Sequence, residues 1–193
     1  MAVVHHWRVS DLEQLPDDGN RYEIIGGELY VSKQPHFYHQ RICLSIGARL
    51  DVWDDQTGLG VANLAPGIIF SDEDAVAPDL IWISKARLAS ALNTNGKLYE
   101  APELVIEVLS RGKANEHRDR DSKLDLYSSR GVRESWLVDW RARCIEVYRS
   151  DGSKLVPVAI LHPDDALETT LLPGFSCQIE SLFADIPATL AVD

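Results

Sequence analysis

This sequence has no cysteine pair, no glycine-rich phosphate loop, no long apolar run and little positive charge, and each shortage removes a class of protein. Its three cysteines, Cys43, Cys144 and Cys177, are odd in number and far apart. None forms a C-x-x-C pair, so neither a disulfide framework nor a cysteine zinc site is supported. They read as small buried hydrophobes in a reducing compartment. No apolar run approaches the roughly 20 residues that span a bilayer, and Met1 to Arg8 lacks the basic and apolar segments of a signal peptide. The expectation is a soluble, cytoplasmic protein without a membrane partner. A phosphate-cradling loop, a G-x-S-x-G elbow and a zinc-finger pattern are all missing. Against 30 acidic residues stand 19 lysines and arginines, a net charge of −11. That balance argues against sequence-blind adhesion to nucleic acid or anionic lipid. The shortage is uneven: residues 105–150 carry ten Lys/Arg against eight Asp/Glu, so that stretch is +2 and the remainder −13. A local basic groove is compatible with an acidic whole.

What is present suits one domain. The 193 residues are 45% hydrophobic and 25% charged, enough to bury a core, with a core region of about 20–150 and a docking tail of about 151–193. Trp7–Leu15 reads as a short helix, and Arg21–Ile25 and Glu28–Ser32 as a hairpin turned by Gly26-Gly27. A helix from about His36 to Asp54 sets Ile42, Ile46, Leu50 and Trp53 on one stripe. Val61–Phe70 reads as a strand broken near Pro66-Gly67, and Ser71–Asp74 as a solvated acidic turn. Val76–Ile83 and Glu103–Leu109 do not alternate polar with apolar, so both read as strands covered on two faces. Ser84–Ala91 reads as a short helix. The charged stretch from Arg111 to Ser122 leads into a helix ending at Arg130-Gly131. Glu134–Asp139, Cys144–Arg149 and Leu155–Leu161 complete the strands, and a short helix falls near Ser181–Ala184. Helices flanking a mixed sheet make an α/β or α+β domain.

Two carboxylates break the pattern. Asp79 and Glu107 are each the lone ionisable group within a run of Val, Ile, Leu and Trp. A buried carboxylate costs several kcal/mol unless a cation or hydrogen-bond donors offset it, and two on neighbouring strands also repel. Solvation or an ion pair at a strand end would account for one such acid. For two on consecutive strands a shared divalent metal is favoured, and hard oxygen ligands point to Mg²⁺ or Mn²⁺. Downstream, Asp119, Lys123 and Tyr127 fall at i, i+4 and i+8 on one helical face. Lys123 either points at the sheet or makes an ordinary surface pair with Asp119; spacing does not choose.

Pro78-Asp79, Glu107 within Pro102 to Ser110, Asp119-Arg120-x-x-Lys123 with Tyr127, and Gly131 to Asp139 follow one another in an order that resembles the Uma-two family. That family is placed in the PD-(D/E)XK restriction-endonuclease-like superfamily. The likeness extends to Leu15-Pro16-x-x-Gly19-x-Arg21-Tyr22-Glu23, to Gly27-Glu28-Leu29 and to Leu172-Pro173-Gly174-Phe175, and so covers nearly the whole chain. It implies a restriction-endonuclease-like core of mixed β-sheet flanked by helices. It also implies a metal site of Asp79, Glu107 and the Val108 carbonyl. Glu23 either completes that site from the hairpin or stands as a surface cross-strand residue. The lysine usual two residues after the second acid is replaced by Leu109, and the resemblance places its counterpart on the following helix, at Lys123. Ser135 stands where the family usually has an aromatic residue, a departure assigned to packing.

The implied activity is Mg²⁺- or Mn²⁺-dependent hydrolysis of DNA phosphodiester bonds. Asp79 and Glu107 would hold the metal, while Lys123 orients the nucleophile or stabilises developing charge. Asp119 would support them; Arg120 and Tyr127 either touch backbone phosphates or stay on a solvated surface. Binding of nucleic acid would be weak and salt-sensitive. A homodimer follows by analogy with restriction-like nucleases that work in pairs. The competing reading is a catalytically silent member that keeps the fold for binding or dimerisation, favoured by the charge of −11 and by the absent E-x-K lysine. His36 and His39 lack a third ligand at helical spacing and read as helix-entry histidines rather than zinc ligands. His117 and His162 have no evident catalytic partner. Trp7, Trp53, Trp82, Trp136 and Trp140 read mostly as core residues.

Overall fold

Gly26 and Gly27 both take positive φ, 57° and 76°, the backbone that a two-residue turn between twisted strands demands. The structure, a computed structural model, describes residues 5–110 and 118–190, and element counts refer to those residues. The glycine turn joins β1 (Arg21–Ile25) to β2 (Glu28–Ser32), with Ile25 opposite Glu28. The Gly26 N–H donates to Asp74 Oδ1 at 2.8 Å, which ties this hairpin to a second one, β4 (Ile68–Ser71) and β5 (Asp74–Val76). Together they form a four-stranded sheet in the order β2-β1-β5-β4. Asp74 is buried and also accepts from Ser71 and Arg130. The expected solvated acidic turn is therefore corrected at its last residue: Asp74 is the knot between two hairpins.

The expected strand Val76–Ile83 is in fact two strands in two sheets. Pro78 has no N–H to give to a ladder, and Ala77-Pro78-Asp79 carries the chain from β5 across to β6 (Leu80–Ser84). Likewise Val61–Phe70 divides between β4 and β3 (Gly60–Leu64). The larger sheet runs β10-β9-β8-β7-β6-β3, with β7 at Leu104–Val108, β8 at Glu134–Asp139, β9 at Cys144–Ser150 and β10 at Leu155–Leu161. Within it β7 and β8 are parallel and the other pairs antiparallel. A parallel pair needs a crossover. Here the crossover includes a π-helical turn, Arg118–Ser122, that runs directly into a helix, Lys123–Ser129.

Both faces of the central strands are covered, and alternation decides what each side chain meets. Leu80, Trp82, Leu104, Ile106 and Val108 pack with Ile42, Ile46, Leu50 and Trp53 of the long helix. Ile81, Ile83 and Val105 go to the other face, with Leu126 and Tyr127. The helices in chain order are α1 (Val9–Leu12), α2 (Phe37–Thr57), α3 (Lys85–Ala91), α4 (Lys123–Ser129) and α5 (Ile179–Phe183). α1 is much shorter than expected. α2 runs past Asp54 to Gly58, whose φ of 65° lets its N–H close on Asp54 O. A small hairpin in the tail, β11 (Ala166–Glu168) with β12 (Ser176–Gln178), has strands too short to show a period. Among the described residues no helix is long and apolar enough to cross a membrane. Trp53, Trp82, Trp136 and Trp140 are buried, and so are all three cysteines.

Gly60 begins β3 where the strand passes tightly against β6. A Cβ there would lie 2.4 Å from the Trp82 ring and 2.6 Å from the Ile83 carbonyl oxygen. The carbonyl belongs to the paired strand and cannot turn aside. Gly60→Ala is expected to destabilise the protein by about 1–3 kcal/mol, read as a lower urea midpoint at unchanged m-value.

Candidate active site

Glu107 shares its sheet face with Val105, so strand alternation aims it at the first residue of α4. Lys123 meets it there. The Lys123 Nζ lies 3.1 Å from Glu107 Oε1, 3.0 Å from Glu23 Oε1 and 4.0 Å from Asp119 Oδ1. Only 1% of Lys123 is exposed. The Tyr127 hydroxyl, one turn further along α4, donates to Glu107 Oε1 at 2.6 Å. Glu23 comes from β1, is buried, and accepts the Ala77 N–H at 2.9 Å. Two alternatives, one left open by spacing and one by the resemblance, are resolved by these positions. Lys123 points at the sheet, and Glu23 belongs to the cluster rather than the surface.

Asp79 reaches the same place from the crossing between the two sheets. Its Oδ2 accepts the Val108 N–H at 2.9 Å, and its Oδ1 accepts from Arg21 Nη1 at 3.1 Å. Asp79 therefore precedes β6 instead of lying within a central strand, and its partner is the residue after Glu107. In extended backbone the N–H and C=O of one residue leave the same strand edge, so the Val108 carbonyl also leaves β7 on Asp79's side. Leu109 turns the other way and donates to Val138 O. A cleft of about 170 Å³ opens here, lined by Asp79, Glu107, Val108, Asp119 and Lys123 together with Arg21, His39 and Arg118.

Two expected contributors take other positions. Tyr127 is buried beneath Glu107 and has no surface to offer a phosphate. Arg120 pairs with Glu146 of β9 and approaches Asp139. Glu146 stands two strands away from Glu107, through Leu137. Asp119 is buried and accepts from Arg118 Nε at 2.9 Å. The basic lip expected of residues 105–150 is spent largely on internal partners: Arg118 on Asp119 and Ser32, Arg130 on Asp74, Arg143 on the Ile186 carbonyl, and Arg149 on Glu134. Residues 111–117, His117 among them, lie outside the described residues.

His39 is the residue that sequence reasoning missed. It is buried, with Nε2 3.1 Å from Asp79 Oδ2 and Nδ1 3.7 Å from Cys43 Sγ. The signal was its place three residues before Ile42, on the buried stripe of α2. His36, by contrast, is a helix-entry histidine: its Nδ1 accepts the Tyr38 N–H as the cap of α2.

A family model described as "Uma2: Putative restriction endonuclease" matches residues 9–180. The chain belongs to the Uma2 family. Among solved structures, a protein from Anabaena variabilis described as a "putative nuclease belonging to DUF820" is similar at 18% identity and a TM-score of 0.74. The match covers 96% of this chain and 99% of that one. The two share a fold, a mixed α/β core of the restriction-endonuclease-like type. No curated protein sequence matches.

Charge in the Uma2 cleft is unevenly satisfied. Burial works to raise the pKa of Asp79, but the His39 ring, the nearby Lys123 and the Val108 N–H outweigh it and hold this carboxyl well below the usual range. Glu107 goes the other way. Burial pushes it up to about 7, with Asp79, Asp119 and Glu23 adding repulsion that Lys123 only partly offsets. Burial lowers the pKa of Lys123, yet Glu107, Glu23 and Asp119 overcome that and raise it. These two results pull in opposite senses across one ion pair. Lys123 faces three carboxylates and stays charged whichever of them holds a proton, so the surplus negative charge falls on Glu107. A raised carboxyl pKa means that the folded state keeps a proton the unfolded state releases. Stability contributed by that proton is present at low pH and lost as pH rises from the ordinary value of 4.5 to about 7. Glu107→Gln is therefore expected to gain about 2–3 kcal/mol relative to wild type between pH 5 and pH 8, read by urea unfolding of both proteins without metal.

Proposed function

We propose that this Uma2 protein is a cytoplasmic, metal-dependent endonuclease that hydrolyses DNA phosphodiester bonds. Mg²⁺ or Mn²⁺ would be held by Asp79, Glu107 and the Val108 carbonyl. The observation that carries the reading is the convergence of Asp79, Glu107 and a buried Lys123 ammonium at one cleft. The residues fit such an ion. In this cluster the acids Glu23, Asp79, Glu107 and Asp119 outnumber the permanent cations Arg21, Arg118 and Lys123, and Glu107 is left wanting positive charge. The donors are hard oxygens, as these metals prefer. When bound, the ion supplies Lewis acidity toward the phosphate and lowers the pKa of a coordinated water.

The chain's own groups do the rest. The Val108 N–H and His39 fix the Asp79 carboxylate, and the Tyr127 hydroxyl fixes that of Glu107. Lys123, locked between Glu23 and Glu107, presents a preorganised positive charge that stabilises the phosphoryl oxygens as negative charge builds. Arg21, whose side chain is 31% exposed and bonded to Asp79 and the Ala77 carbonyl, is placed to turn toward an incoming phosphate. Pairing of two copies, one for each strand of a duplex, is part of the proposal and is read by sedimentation of the purified protein.

A specific observation favours a second reading. Asp79 already has Arg21, His39 and the Val108 N–H as partners, and Glu107 has Lys123 and Tyr127. Such a satisfied knot suits a silent member that keeps the fold for binding. Calorimetry with Mn²⁺ separates the two, since a silent knot takes up no metal at millimolar concentration. For the nuclease, supercoiled plasmid with Mg²⁺ or Mn²⁺ is expected to be nicked and linearised, less so as salt rises. Asp79→Asn, Glu107→Gln and Lys123→Met should each slow cleavage by about 100-fold or more while remaining folded by circular dichroism. Cleavage that Asp79→Asn leaves untouched would rule the site out.

A further inference from the structure

His39, Cys43 and Asp79 form a group that the nuclease reading uses only in part. His39 and Cys43 lie four residues apart on α2, one turn of helix, and each is 3% exposed. Asp79 meets them from the β5–β6 crossing and is also buried. The Sγ of Cys43 is 3.7 Å from His39 Nδ1, and His39 Nε2 is 3.1 Å from Asp79 Oδ2. One donor atom from each of the three lies within 4.8 Å of the others. Donors around a tetrahedral zinc ion stand roughly 3.3–3.8 Å apart; one ring nitrogen of His39 would serve, so its other contact would open while the three side chains drew in by about 1 Å from their present separations of up to 4.8 Å.

We propose that His39, Cys43 and Asp79 are a zinc site, distinct in its donors from the Mg²⁺ or Mn²⁺ site and sharing one carboxylate with it. Chemistry separates the two. Glu107, Asp79 and a carbonyl are hard oxygens, whereas a thiolate and an imidazole select a softer ion. As zinc binds, the Cys43 thiol gives its proton to solvent, and the two positive charges of the metal meet one thiolate and one carboxylate. His39 and Asp79 line the cleft, so an ion would enter from that side. Because Asp79 serves both sites, zinc excludes the hard ion and shuts off cleavage. This last consequence rests on the nuclease reading; the binding does not.

Co²⁺, which takes zinc positions and reports its ligands by colour, is the probe. Titrated into the whole protein without Mg²⁺, it is expected to give a sulfur-to-cobalt charge-transfer band in the near ultraviolet. Cys43→Ser and Cys43→Ala should abolish the band, Cys144→Ser and Cys177→Ser should keep it, and Zn²⁺ should displace it. No band at saturating Co²⁺, or a band that survives both Cys43 variants, overturns the site. In plasmid cleavage with Mg²⁺, equimolar Zn²⁺ should arrest the wild type and spare Cys43→Ser; arrest of both equally overturns the competition. A cobalt band from a protein that never cleaves DNA sinks the nuclease reading alone and leaves the zinc site standing.

Discussion

The ammonium of Lys123 is the constraint around which the structure is arranged. A lysine stripped of water is tolerated only where carboxylates replace its hydration, and here the replacements arrive from separate elements: Glu23 from the first hairpin, Glu107 from the central strand, Asp119 from the π-helical turn. The same ion cluster therefore joins the small sheet, the large sheet and the crossover helix. Buried pairs of this kind add little net stability compared with well-packed apolar residues of the same size. Four acids crowded against fewer cations add less still, since Glu107 is left resisting ionisation. Perturbed groups crowded into a cleft are candidates for function, and this crowding is what the proposed nuclease reading rests on.

The backbone makes this crowding possible. Pro78 cannot extend a ladder, and the chain leaves one sheet for the other just where Asp79 falls. That crossing frees the Asp79 carboxylate from strand alternation and lets it accept the Val108 N–H at the end of the β6–β7 pairing, whose last registered pair is Leu80 with Ile106. On the far side, β7 and β8 run parallel, so the connection between them must cross over the sheet. α4 begins in that connection, and its first residue is the lysine.

Most of the elements were legible because they rest on strong local signals. The Gly26-Gly27 turn, the buried stripe of α2 and the apolar runs of β6, β7 and β8 each declare themselves by period or turn chemistry. Asp79 and Glu107 were legible because charge inside a greasy run is costly, whereas Lys123, set in a charged stretch, was reached only through the family resemblance. What stayed hidden depends on distance in space. Nothing local shows that Asp74 caps Gly26 or that Arg120 chooses Glu146. The same holds for Arg130, which is spent on Asp74. The basic count of residues 105–150 was real, yet a count cannot tell a free arginine from one already paired. His39 is a different failure. It stood on the stripe that predicted the core, and a titratable ring on a buried face needs a partner; the stranded acid forty residues later was that partner.

The pairing of those arginines alters how an acidic protein would meet a polyanion. With a net charge of −11, long-range attraction to phosphate is weak, and a cleft has to supply the attraction at close range. Several arginines of the crossover and of the strands that follow are locked to acids or carbonyls. The cations that line the cleft are Arg21, Lys33, Arg118 and Lys123, two of them from the hairpin side, and they sit inside low-dielectric walls where a field is focused rather than screened. Recognition would then be short-ranged and confined to the site, and affinity would come from the metal and these few groups rather than from a basic surface. One oxygen of Asp79, Oδ2, meets both the Val108 N–H and the His39 ring, whose other nitrogen lies beside the Cys43 thiol, so under the two proposed metal readings a hard and a soft ion would compete for the same side chain.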